Sequence, residues 1–110
     1  MVIDKEDGVA IIFRESASLD TFLLELTQAH ARLKHENLII NLVSFANIDP
    51  AGVLKFRQLS DAHRKGKKSF VVVTDKVSYD EVPEDLLVVP TLQEAKDLIE
   101  MEEIERDLDL

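Results

Sequence analysis

The stretch Leu38-Ile39-Ile40-Asn41-Leu42-Val43-Ser44-Phe45-Ala46-Asn47-Ile48-Asp49-Pro50-Ala51-Gly52 constrains this chain more than any other. Leu38 to Leu42 is apolar except for Asn41, the pattern of a central strand covered on both faces. A short loop follows, and Asp49-Pro50 starts a helix. Aspartate there accepts bonds from free first-turn amides, and proline at the first helical position forfeits no hydrogen bond. A strand that feeds a helix needs a crossover back to the sheet, so parallel pairing is expected.

The rest of the chain repeats this alternation. Val2 to Asp4 and Val9 to Phe13 flank the turn signal Asp7-Gly8 and predict a hairpin. Ser18 caps a helix over residues 19 to 35, whose apolar face is Leu19, Phe22, Leu23, Leu26 and Leu33, with Ala29 or His30 filling the gap. The helix from Pro50 is expected to run to about Lys65, burying Val53, Phe56, Leu59 and His63 and stopping at Gly66. Ser69 to Thr74 is β-branched and nearly continuous, which marks a strand in the sheet centre. The polar segment Lys76 to Asp85, with Val77, Tyr79 and Val82 as anchors, has room for a turn or two of helix before Pro83. Leu86 to Val89 is a last short strand, and Thr91 with Glu94 forms a capping box for a terminal helix burying Leu92, Ala95, Leu98 and Ile99. The expectation is a small α/β domain: a mostly parallel, mixed sheet of four to five strands with helices packed on it.

Composition narrows the class. At 110 residues, with 45% hydrophobic and 32% charged residues, the chain fits one compact domain, assigned to residues 1–102. Residues 103–110 read as an acidic extension of the last helix or a frayed tail, because acids crowd the stretch from Glu94 to Asp109 against only Lys96 and Arg106. Without cysteine there is no disulfide, thiolate metal site or cysteine nucleophile. The acidic start Met1 to Asp7 is unlike a signal peptide, and no apolar run approaches the ~18 residues of a membrane span, so a cytoplasmic location is the default expectation. A net charge of -9 opposes binding to nucleic acid or anionic membranes and directs attention to protein partners.

The segment Leu38 to Gly52 resembles the core of the STAS family, the sulfate transporter and anti-sigma factor antagonist domain, whose strand and loop end in Asp-Ser-Ser-Gly at a helix start. Asp49 and Gly52 match that motif, while Pro50 and Ala51 replace its serines. The likeness continues through Lys55, Arg57 and Arg64 to Lys68 before the Phe70 to Thr74 strand, and resumes at Leu92 to Ile99. Two departures stand out. The connection Lys76 to Asp85 is shorter and more polar than the family's third helix, and Ala51 stands where phosphorylatable members carry their serine. Such a serine takes phosphate from a kinase partner, and the added charge of roughly -1.5 to -2 breaks the complex. Alanine has no oxygen to accept it, and Ser44 is the nearest hydroxyl in the loop.

The resemblance implies a stand-alone regulatory interaction module binding a kinase-like anti-sigma factor or similar protein and acting in transcription regulation. The usual site is expected not to be switched by serine phosphorylation. It places the partner surface at Ser44, Phe45, Asn47, Asp49, Pro50, Ala51, Gly52 and Lys55. For Gly52 two readings stay open, close approach by a partner or packing of the helix start on the sheet. His30 and His35 lie five apart and do not share a helix face, so no metal is expected. Arg64, Lys65, Lys67 and Lys68 suit a helix C-terminus, where cations offset the dipole, or contact with an acidic partner such as another copy's tail. No Gly-rich phosphate loop, no nucleophile with a paired histidine and no His-Glu metal spacing appears, so the chain reads as a non-enzyme needing no cofactor. A nucleotide or lipid sensor and a scaffold subunit of a larger assembly are the alternatives, and a homodimer is left open. A phosphoacceptor receiver domain fits poorly, because Val43 and Ser44 follow the central strand where that fold needs aspartate.

Overall fold

In the computed structural model, which describes residues 1–108, two left-handed residues open the fold. Asp7 (φ 51°) and Gly8 (φ 78°) join strand β1 (Val2–Glu6) to β2 (Val9–Phe13), with Glu6 opposite Val9. Positive φ at both turn positions matches the right-handed twist of the strands and fixes the register. The pairing therefore runs up to the turn, and β1 includes Lys5 and Glu6 beyond the expected Asp4.

Helix α1 (Leu19–Leu33) leads to β3 (Asn37–Asn41); α2 (Pro50–Leu54) and α3 (Arg57–Lys65) lead to β4 (Phe70–Val73). A single 3₁₀ turn at Tyr79–Glu81 then leads to β5 (Leu87–Val89), and α4 (Leu92–Leu108) closes the chain. The five-stranded sheet has the order β1-β2-β3-β4-β5, with β1 antiparallel and the other strands parallel. Successive right-handed crossovers that all step in one direction must lie on one face. Accordingly α1, Val53 and Phe56 of the second crossover, and Val77, Val82 and Leu86 of the third pack together against Ala10, Ile12, Leu38, Ile40, Phe70, Val72 and Val88. The alternate side chains Ile11, Ile39, Val71 and Val73 face the other way and meet Ala95 and Ile99 of α4.

The expected single helix from Pro50 to Lys65 is two helices. The Lys55 amide donates to the Gly52 carbonyl (3.2 Å) and the Phe56 amide to that of Val53 (3.0 Å), three-residue bonds that tighten the chain at the junction. This brings Phe56 wholly into the core, 6.2 Å from Phe22 between ring centroids. The stop after α3 falls where expected, with Lys65 the last helical residue and Gly66 the C-cap. The left-handed residue is Lys67 (φ 66°), not Gly66 (φ -81°); a Cβ on Gly66 would approach the His63 carbonyl at 3.3 Å.

Helix α4 crosses the boundary placed at residue 103 and runs to Leu108, so the acidic stretch is a helical extension over the described residues. Polar bonds hold it down. Asn37, 1% exposed, accepts from the Ser69 amide (2.8 Å) and donates to Glu103. Glu102 accepts from the Ser69 hydroxyl (2.6 Å) and, in bidentate fashion, from Arg64 (3.2 and 2.8 Å), while Arg106 donates to Ser69 Oγ (3.1 Å). Burial pushes the Glu102 carboxyl up, but the bonds from Arg64 and Ser69 outweigh it and hold the group below its ordinary value.

Candidate functional site

Parallel strands deliver their connections to the same edge of a sheet. The starts of α1 and α2, which follow β2 and β3, therefore stand side by side beyond the strands' carboxyl ends, where open α/β sheets usually bind ligands. Between them lies a cleft of about 490 Å³, lined by Leu19 of α1, Phe45 to Asp49 of the loop, and Ala51, Gly52 and Lys55 of the helix start.

The loop is built from local bonds. The Asn41 side chain accepts from the Val43 amide (3.0 Å), the Phe45 amide donates back to Leu42 (3.0 Å), and that of Ile48 to Phe45 (3.3 Å). Phe45 stacks on Phe22, with centroids 5.8 Å apart and planes 13° from parallel. An aromatic pair of this kind contributes ~1 kcal/mol beyond area burial, and here it anchors the loop on α1. Asp49 caps α2 through a 2.8 Å bond from the Gly52 amide, and Pro50 occupies the first helical position.

Gly52 has an intramolecular reason to be glycine. A Cβ there would meet Ile48 Cγ1 and Leu19 Cδ2 at 3.1 Å and the capping Asp49 oxygen at 3.2 Å. The residue is buried, and the close approach is made by α1 and the loop.

Of the residues named from sequence, Phe45, Asn47, Asp49, Ala51, Gly52 and Lys55 line the cleft together, joined by Ala46 and Ile48. Ser44 and Pro50 do not. The Ser44 hydroxyl is turned away and donates to the Arg14 carbonyl (2.7 Å), tying the loop to the end of β2. Ala51 is exposed at the helix start, its methyl group on the cleft wall.

Besides Ala46 and Ile48, two residues outside the loop were not named for the site from sequence, Leu19 in the wall and Asp20 on the rim. Asp20 pairs with Lys55 at 2.8 Å across the gap between the helices. Both partners are exposed, so the pair is worth at most ~1 kcal/mol and opens at little cost. Parallel pairing of β2 with β3 was the signal that could have found them, because it sets the two helix starts beside each other. Chemically the cleft combines an apolar floor of Leu19, Phe45 and Ile48 with a separable carboxylate and ammonium at its mouth, which suits an apolar side chain flanked by polar contacts.

Two of the three histidines, His30 and His63, meet at the other end of the strands. His63, 2% exposed, donates through Nε2 to the Glu36 carbonyl (2.7 Å), which leaves its Nδ1 to accept from His30 Nε2 at 2.9 Å. Burial pushes His63 down to about 4; the Glu36 bond opposes this, while His30, Lys68 and Arg64 add to it. Burial lowers His30 as well. Among the described residues no group of three or more histidines and carboxylates is arranged to hold a metal ion, and no helix is long and apolar enough to cross a membrane.

No family model matches the chain, and a search of curated proteins finds no similar sequence.

Proposed function

We propose that the chain is a STAS-like, non-catalytic interaction module that binds a regulatory protein, of the kinase-like anti-sigma class or similar, through the cleft between α1 and α2. The observation that supports this reading is the convergence of six residues singled out by the sequence resemblance on one cleft, together with Leu19. Ala51 carries the regulatory part of the proposal. With a methyl group on the cleft wall, the module has no hydroxyl there for a kinase to modify and stays competent to bind at all times. The setting of this activity is proposed to be the control of transcription in the cytoplasm.

Affinity capture from the source cell's lysate, with the native chain and an Ala51→Arg variant compared by mass spectrometry, tests the proposal. The native chain is expected to retain a kinase-like or sigma-regulating protein that the variant loses, because an arginine side chain would fill the cleft. Identical captures would remove the cleft from the account.

A second reading, sensing of a small apolar ligand, is favoured by the size of the cleft and its floor of Leu19, Phe45 and Ile48, within the range of ligand pockets. Thermal stabilisation of the native chain by a fatty acid, absent in Ala51→Arg, would select it over protein binding. A flat response would remove it.

A further inference from the structure

Helix α4 is amphipathic twice. Ala95, Ile99, Glu102 and Arg106 follow one another at helical spacing and face the sheet and its polar end. On the opposite side Met101, Ile104 and Leu108, also at helical spacing, are 57%, 53% and 80% exposed. Three exposed apolar residues in one line are not scattered surface exposure. The stripe is continuous with an apolar groove: Leu98, one turn before Met101, lines a cleft of about 380 Å³ with Leu87, Val89 and Tyr79 at the free edge of β5.

Charge around this surface is of one sign. Glu84 and Glu94 line the groove, and Asp97, Glu100 and Glu105 flank the stripe along the exposed side of α4. The two cations of α4 are both engaged away from this stripe, Lys96 in an exposed pair with Glu6 of β1 (2.8 Å) and Arg106 on Ser69 (3.1 Å). Among the described residues no ion pair engages Glu84, Glu94, Asp97, Glu100 or Glu105.

We infer that this face of α4, with the groove at the β5 edge, is a second docking surface, and that it takes a basic amphipathic helix of a partner protein. An apolar line with flanking carboxylates is complementary to a helix with Leu or Ile at i, i+3, i+4 and i+7 and Lys or Arg beside them. A second copy of the chain fits badly, because a two-fold interface would bring the acidic flanks of a -9 chain against each other. The α4 stripe lies on the opposite face of the sheet from α1 and the α2–α3 crossover, and the groove shares no lining residue with the cleft between α1 and α2, so both docking events can occur on one molecule.

The probe is a synthetic basic amphipathic peptide of about 18 residues, long enough to hold a helix once bound, compared with a scrambled peptide of the same composition. Binding to the full chain is measured by fluorescence anisotropy. The ordered peptide is expected to bind, and more weakly as NaCl rises from about 50 to about 300 mM. The Met101→Glu, Ile104→Glu double variant is expected to lose about tenfold or more in affinity. Both side chains point to solvent, so the variant's melting curve should match the native one. Equal binding of ordered and scrambled peptides, an unaffected double variant, or no binding at low salt would each overturn the proposal. So would sedimentation of the native chain as a dimer that the double variant dissociates, which would give the stripe to a second copy.

Discussion

The two ends of the parallel strands are built on opposite plans. At the carboxyl ends the cleft is open, Leu19, Phe45 and Ile48 give it an apolar floor, and its mouth holds one exposed ion pair, Asp20 with Lys55. At the amino ends Asn37, Ser69, Glu102, Arg64 and Arg106 form a mutually bonded cluster, with His30, His63 and the Glu36 carbonyl beside it. A saturated polar cluster has little left to offer a ligand and much to lose if one member is removed. An apolar hollow with a weak rim is the reverse. Specific structure is concentrated at one end and spare binding capacity at the other.

That contrast can be broken in measurable ways. The largest expected effect is on acid stability. His63 is pushed down to about 4 in the folded chain against an ordinary 6.5, so between those values the unfolded chain binds the extra proton. Stability is therefore full above pH 6.5 and falls as the pH drops towards 4, by up to ~3 kcal/mol from this residue. Glu102 acts in the same direction lower down, since its carboxyl is held below 4.5 and takes up a proton first in the unfolded state. Urea unfolding at pH 7 and pH 4.5 checks the window, and a His63→Phe variant should flatten the slope between pH 6.5 and 4.

Next in size is Asn37→Ala. It leaves the buried Ser69 amide without its partner and releases Glu103, a change expected to cost about 2–3 kcal/mol by denaturant unfolding at pH 7. Asp49→Ala, which removes one cap at the cleft end, should cost about 1 kcal/mol in the same assay. Lys55→Ala should change stability by less than ~0.5 kcal/mol, since its ion pair is exposed on both sides. A cleft-end variant that proved as damaging as Asn37→Ala would erase the distinction.

Legibility follows the same divide. The elements that β-branched runs and helical spacing specify, β2, β4 and α1, were readable within a residue or two, and so was the cleft segment. Its strand, cap and proline are local signals that act through the backbone of their own neighbourhood. The amino-terminal cluster was not readable. Asn37 fell just outside the strand expected from Leu38, and Glu102, Glu103 and Arg106 were read as part of an acidic stretch, because their bonds join residues 32 to 69 positions apart. The break at Lys55 and Phe56 carries no proline or glycine. It comes from the burial of Phe56 against Phe22, a tertiary demand that overrides a continuous helical pattern. The stop at Gly66 was readable, and the left-handed turn just after it, at Lys67, was not.

The most direct test of the contrast is hydrogen–deuterium exchange of the chain alone and in complex with the regulatory protein recovered by capture. The account predicts slowed exchange confined to Val43 to Lys55 and the start of α1, with Asn37, Ser69 and the last turns of α3 unchanged. Slowing centred on the amino ends of β3 and β4, with Val43 to Lys55 unaffected, would contradict it.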